Sequence, residues 1–202
     1  MIRLVSLASV AVLTLAACGA PPAEPADTTD GPAARTSPAE QTIPAPAANT
    51  LTAQGYGPLR IGMTRAEVEA ALGPDANPDA VGGPDPKSCD MYRPERAPEG
   101  MLVMVQDGVL TSLWLSRNPA VETDRGLKVG DPAAEVKRVY GATAEVMAHK
   151  YSAAPAEYVS VWATADRQSP AARGLKYEIG LDGNVQTIAA GGPSIQYVEG
   201  CL

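Results

Sequence analysis

Phenylalanine is absent from all 202 residues, and histidine occurs once, at His149. The first absence leaves Val, Leu, Ile, Met and Tyr to fill the core. The second excludes a histidine pair on a metal. No Gly-x-Ser-x-Gly string accompanies His149 either, so a hydrolase of that type has no support. His149 stands beside Lys150, and the pair reads as a solvated loop. No apolar run reaches the roughly 20 residues of a membrane-spanning helix. Basic residues are scarce, with 16 Lys+Arg against 23 Asp+Glu and a formal charge of −7. That balance argues against nucleic acid and against electrostatic attachment to anionic lipid. It suits solubility, and it is compatible with a basic protein partner.

Other site chemistries fail on inspection. Asp75, Asn77 and Asp79 match the opening of a calcium loop, but Ala80 stands where the turn needs glycine and Pro86 where a bidentate glutamate belongs. Gly82-Gly83-Pro84 and Gly191-Gly192-Pro193 read as turns, because neither precedes a helix with a Lys-Ser/Thr pair. Cys89 and Cys201 as metal ligands would lack two further partners. The reading therefore includes no catalytic residue, no cofactor and no metal.

What is present begins at the N-terminus. Arg3, an apolar stretch from Leu4 to Leu15 and the small residues Ala16 and Ala17 describe a secretory signal. The string Leu15-Ala16-Ala17-Cys18 resembles the lipobox of bacterial lipoproteins. That resemblance implies cleavage after residue 17 and lipidation of Cys18 with several acyl chains, palmitate included, enough for stable anchoring. Gly19 after the cysteine resembles lipoproteins sorted to the outer membrane and facing the periplasm. Loss of residues 1–17 removes Arg3 alone, leaving 15 basic and 23 acidic side chains, a formal −8. Residues 18–50 read as an Ala/Pro-rich disordered tether: between 19 and 50 there are seven prolines, nine alanines and one large apolar side chain, Ile43. In an oxidising compartment Cys89 and Cys201 read as a disulfide, with two free thiols as the alternative.

Residues 51–202 form the expected globular domain, and an internal repeat organises it. Residues 58–73 (PLRIGMTRAEVEAALG) match residues 126–141 (GLKVGDPAAEVKRVYG) at an offset of 68, with six of sixteen positions identical. Each copy predicts a glycine, a polar helix start, a short amphipathic helix and a terminal glycine. Thr64 and Glu67 have capping-box spacing. Asp131 is placed to cap the second helix and Pro132 to be its first residue. Ala66, Val68, Ala71 and Leu72 share one helical face, as do Ala133, Val136, Val139 and Tyr140. Glu67 and Glu135 need no catalytic role at the first turn of a helix. Strand signals follow each helix: residues 88–93, 101–106 and 109–116 around Asp107-Gly108, then 157–164, 174–181 and 184–189 around Asp182-Gly183. The expected fold is α+β, two tandem repeats (about 51–120 and 121–202) of short helices packed on antiparallel sheet.

The Gly-Met-Thr-x-x-Glu-Val-x-x-x-Leu-Gly string at 62–73 resembles the helix start of SmpA/OmlA (BamE-like) lipoproteins. Its doubling, with Gly130-Asp131 and Glu135-Val136, resembles β-lactamase inhibitory protein. The resemblance implies tandem helix-on-sheet repeats and a protein-binding role. The contact loops of neither family match, so no binding residue carries over.

Strand alternation supplies the candidate surface. Tyr158, Ser160 and Trp162 point away from Val159 and Val161. Leu110, Ser112 and Trp114 alternate with Val109, Thr111, Leu113 and Leu115. With the fuller apolar set facing the helices, Trp114, Trp162 and Tyr158 fall on the opposite face. They are the candidate protein-binding residues, unless the C-terminal segment Ser194–Gly200 covers them. The functional expectation is a lipid-anchored, non-enzymatic protein-binding module whose partner is an envelope protein. The alternatives are a binder of small ligands or cell-wall fragments and, less favoured, an uncharacterised hydrolase.

Overall fold

The computed structural model describes residues 49–80 and 82–202, so the expected signal peptide, Cys18 and most of the expected tether lie outside the described residues. The domain is α+β, with much more strand than helix. β1 (Thr50–Thr52), β2 (Gly55–Tyr56), β3 (Leu59–Arg60) and β7 (Glu122–Thr123) form a small sheet in the order β3-β2-β1-β7. β4 (Cys89–Tyr92), β5 (Met101–Gln106), β6 (Val109–Ser116), β8 (Glu145–Ala148), β9 (Glu157–Trp162), β10 (Gly174–Ile179) and β11 (Val185–Gly191) form a seven-stranded sheet in the order β4-β5-β6-β11-β10-β9-β8. Every pairing in the large sheet is antiparallel.

Two eight-residue helices, α1 (Arg65–Leu72) and α2 (Ala133–Tyr140), lie where the repeated string predicts them. The capping box of α1 forms: Thr64 N–H donates to Glu67 Oε2 at 2.7 Å, and Glu67 N–H donates to Thr64 Oγ1 at 3.3 Å. The Thr64 N–H and hydroxyl, both donating to Oε2, favour the charged carboxylate and hold Glu67 below the usual carboxylate range. At α2 the expectation needs correction. Pro132 is extended (φ −69°, ψ 144°) and occupies the cap position, not the first helical one. It is held there by an antiparallel bridge to Asn184. Asp131 does not cap the helix, because its carboxylate accepts from Lys128 N–H at 2.9 Å. Gly73 and Gly141 end the helices at φ 86° and 54°, a region costly for any residue with a Cβ.

The core lies between the helices and the large sheet. Val68 and Val136 are fully buried against Leu113, Leu115, Val159, Tyr177 and Ile188, while Ala66 stays exposed. Without phenylalanine, tyrosine takes the central place. Tyr177 is fully buried, and its hydroxyl lies 2.9 Å from that of Tyr140. Burial pushes the Tyr177 hydroxyl far above the ordinary tyrosine range.

The expected strands of the large sheet fall close to their ranges, and the fold departs from expectation at three points, one of them in the small sheet. β8 was not foreseen. Short strands precede each helix: β1 pairs in parallel with β7, with Leu51 opposite Thr123, and so ties the start of the domain to the approach to α2. Finally, Leu110 does not share the face of Trp114. Met104 pairs with Ser112 but Val105 pairs with Leu110, so Thr111 is an extra residue on β6. This bulge reverses the alternation and turns Leu110 into the helix-side core.

The two helix entrances make the same backbone bonds. Gly62 N–H donates to Leu110 O, Leu110 N–H to Met63 O and Arg65 N–H to Gly108 O. Gly130 N–H donates to Val185 O, Val185 N–H to Asp131 O and Ala133 N–H to Gly183 O. The second hairpin also has a bulge: Glu178 pairs with Thr187 and Ile179 with Val185, leaving Gln186 as the extra residue.

Candidate functional site

Register places a second set of side chains on the sheet face away from the helices. Trp114 lies opposite Ala189, Ala189 opposite Lys176, Lys176 opposite Ser160, and Ser160 opposite Glu145. One step along, Glu178, Tyr158 and Met147 stand side by side. The face predicted to carry Trp114, Trp162 and Tyr158 therefore exists, and all three are on it.

Most of it is covered. After β11 the chain makes a 3-10 turn, Pro193–Gln196, and runs back across this face to Leu202. Ile195 is fully buried in a small cluster with Met104, Trp114 and Ala189. Gly200 approaches Met91 so closely that a Cβ there would come within 2.3 Å of Sδ. Cys201 is bonded to Cys89 across 112 residues, with Cα atoms 5.5 Å apart. Of the two alternatives, an open platform or one covered by the C-terminal segment, the covered one holds at two residues: Trp114 is 8% exposed and Tyr158 4%. The indole N–H of Trp114 donates to Ser112 Oγ at 2.9 Å, which satisfies it beneath the cover. Trp162 is half-buried, with its ring across Gly174, where a Cβ would meet it at 2.7 Å.

A residue outside the sequence reading holds the centre of this face. Lys176 is 4% exposed, and its Nζ donates to Tyr197 O on the C-terminal strap at 2.6 Å. The same ammonium sits 4.9 Å from the ring centre of Trp114 and 5.3 Å from that of Tyr158. Among the described residues no carboxylate forms an ion pair with it. Burial pushes its pKa down to about 8, against a smaller upward pull from Glu178.

His149 is not the solvated side chain expected. Its ring stacks on Tyr158 at 4.7 Å, and its Nδ1 accepts from the backbone N–H groups of Tyr151 and Ser152 at 3.1 and 3.2 Å. Its Nε2 lies 3.2 Å from Glu178 Oε1. The histidine thus braces Tyr158 from the loop after β8.

A cavity of about 200 Å³ opens beside Lys176, with Tyr158, Ser160 and Trp162 on the sheet, Met147 and Glu145 on β8, and Arg167, Gln196 and Val198 around the mouth. Arg167 is ion-paired with Glu145. A larger cleft of about 580 Å³ lies near the β4–β6 end, where Asp75 and Glu99 mix with Arg93 and Arg117. Its charges are of both signs and no buried cation faces it, so the smaller cavity is the better-defined chemical environment. Among the described residues no group of three His, Cys, Asp or Glu side chains is placed to hold a metal ion, and no helix is long and apolar enough to cross a membrane.

No family model matches the chain, and no curated protein matches it. Among solved structures, the chain is similar to a DUF4309 family protein (YjgB) from Bacillus subtilis subsp. subtilis str. 168, at 17% identity and a TM-score of 0.42, over 69% of this chain and 84% of that one. A likeness of this degree carries no argument about fold or function.

Proposed function

We propose that this chain is a lipid-anchored cell-envelope protein whose globular domain is a non-enzymatic binding module facing the periplasm. Cys18 is the lipidated residue, and residues 18–50 are the tether. The Cys89–Cys201 bond supports an oxidising compartment. The domain is read as two tandem repeats of the SmpA/OmlA and β-lactamase inhibitory protein kind. The shared trio of hydrogen bonds at the two helix entrances and the matched bulges at Thr111 and Gln186 support that reading.

The observation that carries the binding function is the edge strand β8. It pairs with β9 on one side and with no other strand among the described residues. Val146 is 49% and Met147 59% exposed. A bare edge bearing apolar side chains is a template for an added strand. The partner is an extended segment of an envelope protein, laid along β8 with a side chain against Met147 and Trp162. Trp114 and Tyr158 support this surface from beneath. Affinity capture from detergent-solubilised envelopes tests it. The full chain retains one discrete protein, and the Val146→Lys/Met147→Lys variant, which protects the edge with charge, does not. Equal capture by both overturns β8 as the surface.

A second reading, a binder of small ligands or cell-wall fragments, is favoured by one observation: the cavity that places a half-buried tryptophan beside a buried lysine.

A further inference from the structure

We propose that the cavity beside Lys176 is a carboxylate-binding subsite, with Lys176 and Ser160 receiving the carboxylate and Trp162 and Met147 receiving the apolar body that bears it. The inference rests on the reading of this domain as a binding module.

Lysine is almost never fully buried unless it is paired. Lys176 has three donors, and one goes to Tyr197 O. Two aromatic rings flank the ammonium and favour its charge, but neither supplies an anion. Among the charged side chains lining the cavity, Glu145 is ion-paired with Arg167, which leaves the Lys176 ammonium; Glu178 lies outside the lining, hydrogen-bonded to His149, and pulls on the ammonium without pairing with it. Ser160 lies directly opposite Lys176 in the β9–β10 register, and both residues line the cavity.

Size and lining narrow the class of ligand. A cavity of about 150 Å³ accommodates benzene in another protein, so about 200 Å³ fits a carboxylate on a single ring or a short aliphatic chain. One ammonium and one hydroxyl match a monoanion. Phosphate is held by arginine forks or by lysine as a point charge; the one arginine lining this cavity is already paired, which leaves a single ammonium against a dianion. The carboxylate has two sources: a free small molecule, or an acidic side chain on a segment added along β8, since Glu145 and Met147 line both the edge and the cavity.

The test uses the full chain in detergent at neutral pH, with benzoate as probe and benzamide as its uncharged counterpart. Calorimetry and tryptophan emission are the readouts; the chain's two tryptophans, Trp114 and Trp162, both border the site. Benzoate binds at least tenfold more tightly than benzamide, and Lys176→Met loses that preference while Ser160→Ala reduces it a few-fold. Equal binding of the two probes, or no binding of either, overturns the subsite on the wild-type chain alone, whether or not the variants fold. Retained preference in a folded Lys176→Met chain also overturns it. The blocked peptide acetyl-Val-Thr-Glu-Val-Thr-amide and its Glu-to-Gln counterpart separate the sources. Glu-dependent binding that benzoate displaces identifies a side chain, and binding of benzoate alone identifies a free carboxylate. None of these measurements uses envelope capture, so failure of the β8 surface and failure of this subsite are separately visible.

Discussion

The two faces of the seven-stranded sheet are closed in different ways. Helices cover one face, and its core is continuous and apolar, from Val68 through Leu113 and Tyr177 to Ile188. A strap without regular strand or helix after Gln196 covers the other, held chiefly by a buried isoleucine, a disulfide and a lysine–carbonyl bond, with side-chain bonds of Gln196, Tyr197 and Glu199 at its surface. Apolar packing closes a surface over its whole area. The strap closes its face at a few points and leaves a cavity between them. The difference locates the chemistry. A buried cation persists on the strap face because Tyr197 O, Trp114 and Tyr158 share its ammonium, whereas among the described residues the helix side has no fully buried lysine or arginine.

Removing the disulfide makes the largest test of this contrast. A loop closed across 112 residues corresponds to about 5 kcal/mol of chain entropy at most, reduced by any residual structure in the unfolded chain. Cys89→Ser/Cys201→Ser lowers the urea midpoint accordingly and shifts tryptophan emission to the red as the strap lifts, while far-UV dichroism of the sheet persists at 25 °C. An unchanged midpoint and emission refute the strap as a point-held cover.

The next test compares one side chain from each face. Leu113→Ala on the helix side leaves a cavity in fixed surroundings and costs about 2–5 kcal/mol. Ile195→Ala on the strap side costs roughly half as much, because the strap can settle into the space. Equal losses in urea unfolding mean that both faces are equally rigid.

Lys176 sharpens the comparison through pH. Its folded pKa, about 8, lies below its value of 10.5 in water, so between those values the unfolded chain binds more protons. Stability therefore rises with pH across that window, by up to about 3 kcal/mol at 1.36 kcal/mol per unit. Below pH 8 the full penalty of the buried charge is present. The groups near the ammonium are Glu178, Glu145 and Arg167, of which Glu178 opposes the shift. Tyr158 and Tyr177, raised by burial, act in the opposite direction above pH 10. Urea midpoints measured from pH 7 to 10 rise for the wild type and stay flat for Lys176→Met.

The smallest effect belongs to the helix side. Thr64→Ala removes the capping box of α1 and costs about 1 kcal/mol. At α2 the expected cap is Asp131, and Asp131→Ala does not act through a side-chain cap, since the structure has none there. Parallel chemical denaturation of the two variants measures this inequality between otherwise similar helix entrances.

Local chemistry made much of the fold legible. The two glycine-bounded strings specify α1 and α2, because caps and left-handed glycines act within a few residues. Asp107-Gly108, both at positive φ, specifies the first hairpin by the backbone angles such a turn requires, and Gly183 supplies the positive φ in the second. β8 escaped because Glu145–Ala148 is short, and its exposed residues give no burial alternation. Leu110 was assigned to the wrong face because a bulge inserts one residue without a residue type that marks it.

The candidate site was legible in part. Strand period alone put Trp114, Tyr158 and Trp162 on one face, because side chains alternate whatever lies above them. Lys176 lies in the alternating run Leu175-Lys176-Tyr177-Glu178-Ile179, which reads as an ordinary solvent-facing lysine. What the sequence determined by itself is the set of local elements and the face to which most side chains belong. Whether that face meets water, and whether a lysine on it is solvated or buried, was decided only by the tertiary structure. The physical reason is range: periodicity acts over two to four residues, whereas burial of Lys176 depends on a strap segment about 20 residues onward and on a disulfide spanning 112.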